Sequence, residues 1–364
     1  MRCSNSDYLF VVVLFSYYIR NSRTVAEDIC SRPKDCGICD TLICKGPDSC
    51  TCHYCGDCIS MFVDCESKYL KKVPNLETNT KHLNLQNNYI AKLDKNSFSN
   101  VIALESLNLA KNKLVSTNIN KEAFRGLDKL QCLSLAENNL KQIHIMWFAD
   151  LRSLTTLMLQ NLNLMNISEG VFTNSPNLEW ISLGNNNIQS LPSTLFSKQT
   201  GLNQLELYNN LIKDIPDAFL ETSKSSITDL FLHDNLIETI NSSLGLQYLT
   251  NLTHLSVYRN PFKCNCDLVW FINWTQNNKK RFLFLYNTNI TALCDNIDNT
   301  LGNLNLGDLH CNWIWWEVAV GVSLAILLAI FYLKLPFIRR CISDLIHKQH
   351  YIKLQSTAAA EERG

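Results

Sequence analysis

The stretch "LQCLSLAENNL", residues 130–140, decides the fold of this chain because its apolar residues follow a strict spacing. It reads Leu-x-x-Leu-x-Leu-x-x-Asn-x-Leu, and the same spacing occurs one unit earlier in "LESLNLAKNKL", residues 104–114. The central Leu-x-Leu alternation predicts a short strand with both leucines on one face. One such strand cannot bury that face alone, so the pattern predicts several units stacked side by side.

Six further copies follow the same spacing, with a period of 24 to 26 residues. They begin at His82, Leu154, Leu178, Leu202, Ile227 and Leu252. Eight copies over residues 80–262 predict an α/β fold: a leucine-rich-repeat solenoid with a curved parallel sheet, in which each repeat adds one strand.

Two further columns of residues recur in register with the leucines. The first is aromatic and should fill the convex side of the core: Phe98, Phe124, Phe148, Phe172, Phe196 and Phe219. The second can satisfy backbone groups of neighbouring turns: Asn88, Asn112, Asn138, Asn186, Asn210, Asn235 and Asn260. Leu162 interrupts the second column, so repeat four should contain a local weak point around residues 160–166.

Apolar segments at both ends predict secretion and membrane insertion. Residues 1–26 combine Arg2, an apolar run and a small-residue stretch, as a signal peptide does, although an uncleaved signal anchor fits the same features. Residues 318–338 form a run of 21 that carries one charge, Lys334, against the roughly 20 residues that cross a bilayer. We therefore expect a transmembrane helix with a tryptophan belt at 313–338 and a cytoplasmic tail at 339–364. This arrangement predicts a single-pass type I protein of the plasma membrane.

The cysteines are grouped towards the two ends of the repeats. Nine lie between Cys30 and Cys65, and four lie between Cys264 and Cys311. The segment "CTCHYCGDC", residues 50–58, has spacing that could ligate zinc, but disulfides are favoured in a secreted protein. No metal or other cofactor is expected, and no catalytic arrangement of side chains recurs, so an enzyme is not expected.

The two cysteine groups resemble the caps of extracellular leucine-rich-repeat proteins. Residues 27–79 contain the N-terminal cap motif followed by "LKKVP", and residues 263–312 contain "NPFKCNCDLVWFINW", which matches the C-terminal cap. The resemblance implies the pairs Cys44–Cys52, Cys50–Cys65, Cys264–Cys294 and Cys266–Cys311. It leaves open the pairing of Cys30, Cys36, Cys39, Cys55, Cys58 and Cys132, where Cys132 could be unpaired, join an N-terminal cysteine or link two copies.

The region from about 44 to 311 resembles Toll-like receptor ectodomains and variable lymphocyte receptors. A Toll-like receptor carries a cytoplasmic signalling domain of more than a hundred residues, whereas 26 residues follow the expected span here. The resemblance therefore implies recognition in innate immunity without a signalling domain of the chain's own.

The residues beside the leucines should project from the opposite face of the sheet, here called the concave face. Large and polar residues concentrate there in repeats five to eight, and we expect them to bind a ligand: Trp180, Glu206, Tyr208, Asp229, Phe231, His233, His254 and Tyr258. Among these, Glu206 and Asp229 would favour a basic partner. The alternative to ligand binding is that these aromatic residues are scattered over the sheet and have no partner.

Short motifs predict modifications and sorting. Five sequons are candidate glycosylation sites: Asn166, Asn241, Asn251, Asn273 and Asn289. In the tail, Tyr351 and Leu354 resemble a sorting signal that an endocytic adaptor reads, and Cys341 is a candidate for lipidation.

The function expected from these features is a cell-surface recognition receptor. It would bind an extracellular protein or microbial ligand on the concave face, as a co-receptor, decoy or capture receptor, with a signalling co-receptor or a homodimer as possible assemblies. The alternative is an adhesion or matrix-binding protein that uses the same solenoid. Equal numbers of acidic and basic residues, 33 of each, give no reason to expect nucleic-acid binding.

Overall fold

The computed structural model describes residues 44–45, 50–54, 61–278, 294 and 323–324. The chain divides into two compact units, residues 1–304 and 305–364, and the repeats lie in the first. Of the expected span at 313–338, only Ser323 and Leu324 are described, and both are helical and exposed. Within the described ranges, no helix has the length and apolar character needed to cross a bilayer. The signal peptide and the tail lie outside the described residues.

The first unit contains one sheet of eleven strands in chain order. The strands are β1 Cys44–Lys45, β2 Thr51–Tyr54, β3 Met61–Asp64, β4 Thr80–Asn84, β5 Ser106–Asn108, β6 Cys132–Ser134, β7 Thr156–Met158, β8 Trp180–Ser182, β9 Gln204–Glu206, β10 Asp229–Phe231 and β11 His254–Ser256. Strands β1 to β3 pair antiparallel, and every pair from β3 to β11 is parallel. Each predicted repeat therefore supplies one strand, β4 to β11.

The central leucines of the repeats align across the sheet and form its core. Leu107 pairs with Leu133, Leu133 with Leu157, and Leu205 with Leu230, and each of these leucines is buried. This alignment follows from the spacing, since a shift of one residue would turn the leucines to the other face. The predicted solenoid is confirmed at the level of its repeats.

The segments that return from one strand to the next are mostly irregular. They contain short 3-10 turns at Ser116–Asn118, Ile145–Phe148, Glu221–Ser223, Ser242–Leu244 and Leu246–Tyr248. Within residues 61–278 the α-helix, α1, spans Val269–Asn277 after the last repeat. The described repeats are thus a leucine-rich β-solenoid, in which the returns bury their phenylalanines in irregular and 3-10 segments.

The recurring phenylalanines stack inside the returns. Phe172 lies with its ring centroid 6.0 Å from that of Phe196, and Phe196 lies 5.2 Å from Phe219. All six members of the column are buried. Phe98 likewise stacks on Phe124, and Phe148 meets Phe172 edge-on, so these ring pairs join neighbouring repeats along the solenoid axis.

The asparagine column satisfies backbone groups of two repeats at once. Asn210 Nδ2 donates to the carbonyls of Leu183, Leu207 and Tyr208 at 3.0 to 3.2 Å. Its Oδ1 accepts the N–H of Ile188 at 3.0 Å. The same four contacts recur at Asn112 and Asn138. Each amide therefore replaces water for groups that the solenoid buries.

Repeat four lacks this amide because Leu162 occupies the position. The missing oxygen would accept the N–H of Leu140, which is buried and has no acceptor among the described residues. Strand β7 nevertheless pairs on both sides without a break. Each repeat has one left-handed residue directly before its column position. Repeat four has a second one at Asn163, where φ is 63°. The missing bond thus falls in repeat three, one repeat before the substitution.

Disulfides lie at both ends of the repeats. The structure contains Cys50–Cys65 and Cys264–Cys294, two of the four bonds that the cap resemblance implies. Cys44 lies opposite Cys52 in the β1–β2 pair, and Cys52 and Cys266 are each disulfide-bonded. Cys311 lies outside the described residues.

Candidate functional site

The concave face of repeats six to eight gathers seven of the eight predicted ligand-binding residues. Strands β9, β10 and β11 lie in exact parallel register, so equivalent positions stand next to one another. Glu206 lies beside Phe231, and Asp229 lies beside His254. A row of rings follows these strands. Two residues after the end of β9, β10 and β11 lie Tyr208, His233 and Tyr258, respectively.

The row of rings forms a stack, here called the ring ladder. The Tyr208 and His233 centroids are 5.1 Å apart with the planes 4° from parallel, and His233 and Tyr258 are 4.5 Å apart at 16°. Phe231 meets His233 edge-on at 6.3 Å. These geometries stabilise aromatic pairs and hold each ring in one orientation.

The ladder continues onto the backbone of repeat five at Gly184. A Cβ at that position would stand 2.5 Å from Cζ of Tyr208, which is closer than any real contact. Glycine is therefore required for Tyr208 to lie across this backbone. The quoted repeat "LEWISLGNNNI" contains Gly184, but the sequence pattern alone did not indicate what the glycine accommodates.

Glu206 is a carboxyl buried in the concave face. Ser182 Oγ donates to its Oε2 at 2.6 Å, and Gln204 Nε2 donates to its Oε1 at 2.7 Å. Burial raises the pKa of Glu206 above its ordinary value of 4.5, and the hydrogen bonds from Ser182 and Gln204 only partly oppose this shift. The indole N–H of Trp180 also opposes the rise in the pKa of Glu206, although the two groups are not in hydrogen-bond geometry.

His233 is neutral at physiological pH. Burial, followed by the charge of Arg259, lowers the pKa of His233 from 6.5 to about 3. Its Nδ1 lies 2.7 Å from Ser256 Oγ. Burial, with a smaller effect from Asp234, raises the pKa of Tyr258 to about 12, and Arg259 opposes this shift. The ladder therefore carries no charge of its own.

Asp229 and His254 lie in contact at one end of these strands and form an ion pair when the imidazole is protonated. Asp229 Oδ1 and His254 Nδ1 are 2.6 Å apart, which is close enough for an ion pair. The angle between the two groups does not meet hydrogen-bond geometry. Thr228 Oγ1 donates to the other oxygen of Asp229. Asp229 is thus already engaged within the protein.

Trp180, the eighth predicted residue, lies in β8 beside β9, where its indole N–H acts on the pKa of Glu206. It packs against an apolar cluster of the preceding repeats: Ala110, Cys132, Ala136 and Met158. The structure also revises the expectation that all the concave aromatics face solvent. Phe231 and His233 are buried, whereas Trp180, Tyr208 and Tyr258 are half-buried.

Other candidate positions are placed as follows. Asn166, Asn241 and Asn251 are exposed, and Asn273 is half-buried on α1. Asn289, Tyr351, Leu354 and Cys341 lie outside the described residues. Among the residues that the structure describes, no group of three metal-ligating side chains is close enough to hold a metal ion.

A polar groove of about 420 Å³ lies beside the starts of strands β6 to β9, away from the ladder. It is lined by Gln131, Ser153, Thr155, Pro176, Asn177, Glu179, Thr200 and Gly201. None of these residues was a sequence candidate. No chemical grouping in the lining indicates a ligand.

The repeats match a known type in comparison with protein families. The model described as the BspA type leucine rich repeat region matches residues 76–186 and 117–253, with six copies. This chain carries leucine-rich repeats.

Curated relatives share parts of the leucine-rich repeats. Podocan from Mus musculus is 39% identical over 95 residues, which cover 26% of this chain and 15% of that protein. Osteomodulin from Mus musculus is 38% identical over 78 residues, covering 21% and 18%. Keratocan from Homo sapiens is 37% identical over 79 residues, covering 22% and 22%. The chain thus spans less than a quarter of the length of each of these relatives.

Solved structures share the leucine-rich-repeat architecture. Human 5T4, also described as Wnt-activated inhibitory factor 1 or trophoblast glycoprotein, aligns with a TM-score of 0.53 at 22% identity, covering 73% of this chain and 99% of that one. This likeness shows the fold. A complex of TLR13 with ssRNA13 aligns with a TM-score of 0.46 at 29% identity, covering 59% of this chain and 30% of that one.

Proposed function

We propose that this chain is a cell-surface recognition receptor that binds an extracellular protein or microbial ligand on the concave face of repeats six to eight. It would act through a signalling partner, or by capture alone. The observation that carries the proposal is the ring ladder, in which half-buried Tyr208 and Tyr258 enclose buried His233.

The ladder supports binding because its rings are ordered before any ligand arrives. Tyrosine side chains are frequent anchors of protein interfaces, and order in the free state reduces the entropy lost on binding. Asp229 pairs with His254, and Glu206 has a raised pKa, so acidic charge is weaker here than the sequence suggested. We therefore propose ring contacts and hydrogen bonds as the main recognition chemistry, in place of attraction to a basic partner.

The proposed location rests on the sequence and on features of the described repeats. The expected signal peptide and membrane span would place the repeats outside the cell. Disulfides at both ends of the repeats and exposed sequons at Asn166, Asn241 and Asn251 fit an oxidising compartment. Plasma-membrane anchoring as a type I protein is part of this proposal.

The test uses cells that display the full chain and a fluorescently labelled microbial extract. We expect Tyr208→Ala and Tyr258→Ala each to reduce capture by about tenfold or more, as loss of an interface anchor does. Tyr248→Ala is the matched control, because Tyr248 is 61% exposed and lies in a return between strands. Surface staining confirms equal display of all variants.

Two outcomes would count against the proposal. Capture that persists unchanged in both ladder variants would place the ligand elsewhere. Cell aggregation on expression, without capture of the extract, would favour the alternative of an adhesion protein.

A further inference from the structure

The residues one position after the asparagine column, here called the turn row, change chemistry along the solenoid. In the repeats, the members of the row are Tyr89, Lys113, Asn139, Asn163, Asn187, Leu211, Leu236 and Pro261. The N–H of Tyr89 donates to the carbonyl of Leu70 at 2.8 Å, and the N–H of Lys113 donates to that of Ile90 at 2.9 Å. By this register, Tyr69 continues the row into the cap. Aromatic and basic residues therefore occupy its first three positions.

Tyr69 and Tyr89 form an exposed aromatic pair at the start of the turn row. Their ring centroids are 6.0 Å apart, and the ring planes are 21° from parallel. Tyr69 is 73% exposed and Tyr89 is 48% exposed. Single apolar residues on a surface are ordinary, but two adjacent rings with this exposure are typical of a surface that a partner covers.

The backbone that carries Tyr69 is strained and fixed. Tyr69 has a φ of 60°, in the left-handed region that a bulky side chain rarely adopts. Asn88 Oδ1 accepts the N–H groups of Lys68 and Leu70, at 3.0 and 2.9 Å, and these bonds hold the turn. Strain of this kind persists where the surrounding structure imposes it. The result is an exposed ring that is placed beside Tyr89 before any partner arrives.

Four exposed lysines accompany the aromatic pair: Lys68, Lys71, Lys72 and Lys113. Among the residues that the structure describes, none of these four forms an ion pair. By contrast, each of four neighbouring lysines contacts a carboxylate: Lys81, Lys92, Lys95 and Lys111. The one acidic residue within 66–72, Glu66, accepts a hydrogen bond from Asn84 Nδ2 at 3.3 Å. The positive charge beside the tyrosines is thus not neutralised by described carboxylates.

We propose that this surface binds a sulfated polysaccharide, with the sulfates on the lysines and the sugar rings against the tyrosines. The surface is here called the basic edge, and it consists of Lys68, Tyr69, Lys71, Lys72, Tyr89 and Lys113. Equivalent positions in successive repeats are about 4.8 Å apart, so the charges are spread along the solenoid axis. A chain with repeated negative charges can contact several of them at once.

The type of cation favours sulfate groups over carboxylates and phosphates. Residues 61–113 contain no arginine. Arginine is the usual residue for carboxylate, phosphate and nucleic-acid recognition, because its planar fork matches paired oxygens. Lysine is a flexible point charge that accepts many anion geometries. Tyr69 and Tyr89 also stack on each other, which leaves no gap between them for a nucleic-acid base.

A folded acidic protein fits the basic edge less well. A stable protein interface buries about 800 Å² per partner around an apolar centre. The basic edge offers two rings among four lysines, and its charges are fully exposed. A linear polyanion needs no such centre, because ion pairs and the release of counterions supply its affinity.

The basic edge is separate from the ring ladder. It lies in the cap and in repeats one and two, whereas the ladder lies in repeats six to eight. Binding at the basic edge would hold the protein on sulfated chains and leave the ladder open. It requires no ladder ligand, so its failure would leave the proposed receptor function standing.

The test measures binding of the purified full-length protein, in detergent, to immobilised heparin at several salt concentrations. A triple variant with Lys68→Gln, Lys71→Gln and Lys72→Gln should bind about tenfold or more weakly near physiological salt. It should also show a smaller dependence of affinity on salt, because fewer counterions are released. Failure of the unaltered protein to bind heparin would overturn the proposal.

A second triple variant removes the same charge from other parts of the repeats. Lys121→Gln, Lys129→Gln and Lys198→Gln replace exposed lysines that form no ion pair among the described residues. This variant should bind heparin as the unaltered protein does. Equal weakening in the two triple variants would show that binding follows net charge alone, and the basic edge would be ruled out as the site.

The contribution of the rings is tested without removing charge. Tyr69→Gly and Tyr89→Ala should each weaken binding several-fold and leave the salt dependence unchanged. Glycine adopts the left-handed backbone at position 69 without strain, so this variant should keep its fold, as thermal unfolding would verify. Tyr248→Ala is the control, because Tyr248 is 61% exposed and lies in a return. Unchanged affinity in both ring variants would contradict the proposed mode of binding.

Competing polyanions identify the class of partner. At equal concentration of charge, soluble heparin should displace the protein at least about tenfold better than desulfated heparin, polyglutamate or single-stranded RNA. Polyglutamate that competes as well as heparin would assign the surface to acidic proteins. RNA that competes as well would assign it to nucleic acid. Either result would overturn the proposal.

Discussion

The two halves of the concave face have the same backbone register and opposite side-chain chemistry. Repeats two to four present small or flexible apolar groups, Ala110, Cys132, Ala136 and Met158, which are buried. Repeats six to eight present rings and carboxyls, of which Tyr208 and Tyr258 remain half-buried. The comparison shows that the position in the repeat fixes the face from which a side chain projects. The size of that side chain decides whether it is buried.

The electrostatic difference between the halves is smaller than their composition suggests. The ladder side contains Glu206, Asp229, His233 and His254. Burial favours the neutral forms of Glu206 and His233, and Asp229 pairs with His254. The buried Glu206 and His233 therefore add little charge to the ladder side, and the halves also differ in shape and hydrogen-bonding capacity.

The largest expected effect tests whether the first half is the more tightly packed. Met158→Ala should lower the free energy of unfolding by about 2 to 5 kcal/mol, because it leaves a cavity beside Ala136 and Trp180. Tyr208→Ala should cost less, since its ring is half-buried. Urea denaturation of both variants measures the difference. Equal losses in the free energy of unfolding would show that the two halves do not differ in packing.

An intermediate effect tests the buried titratable groups of the second half. The folded pKa of Glu206 is raised, so its contribution to stability is present below pH 4.5 and is lost as pH rises through the raised value. The pKa of His233 is lowered from 6.5 to about 3, so its contribution is present above pH 6.5 and is lost as pH falls towards 3. The two groups should therefore act in opposite directions.

Stability measured against pH separates the two contributions. Between pH 7 and 4.5, the unaltered protein should lose stability relative to His233→Asn by on the order of 1 to 3 kcal/mol, and it should gain stability relative to Glu206→Gln. Met158→Ala serves as a variant whose difference should not depend on pH. Parallel pH profiles for all the proteins would mean that these side chains are accessible to water in solution.

The smallest expected effect concerns repeat four, which lies between the two halves. Leu162→Asn should restore an acceptor for the Leu140 N–H and raise the free energy of unfolding by about 1 kcal/mol. Amide exchange at Leu140 should slow accordingly. Leu164→Asn is the matched control, because Leu164 is buried outside the column and the same change there should destabilise. A loss of stability in both variants would show that Leu162 contributes more by packing than the amide would by bonding.

Much of the fold could be predicted because the repeats are local and regular. The spacing around Leu107 and Leu133 fixes both the strand and its register, and the column that contains Asn210 follows from the same count. The site was predicted less well. Seven candidates do lie together, but His233 is covered by Tyr208 and Tyr258 of the two neighbouring repeats, and Phe231 packs edge-on against His233. The position of Gly184 beneath Tyr208 likewise depends on a contact between repeats, and so does the missing hydrogen-bond acceptor for the Leu140 N–H.

By itself, the sequence determined the repeat, its strand and the face on which each side chain projects, because these depend on spacing within about 25 residues. Only the tertiary structure decided which of those side chains are covered, neutral or bonded. Glu206 is buried by its setting between Ser182 and Gln204, and Cys132 is bonded although its repeat contains no second cysteine. Burial and pKa are properties of neighbours that stacking brings together, and the spacing within a single repeat does not specify those neighbours.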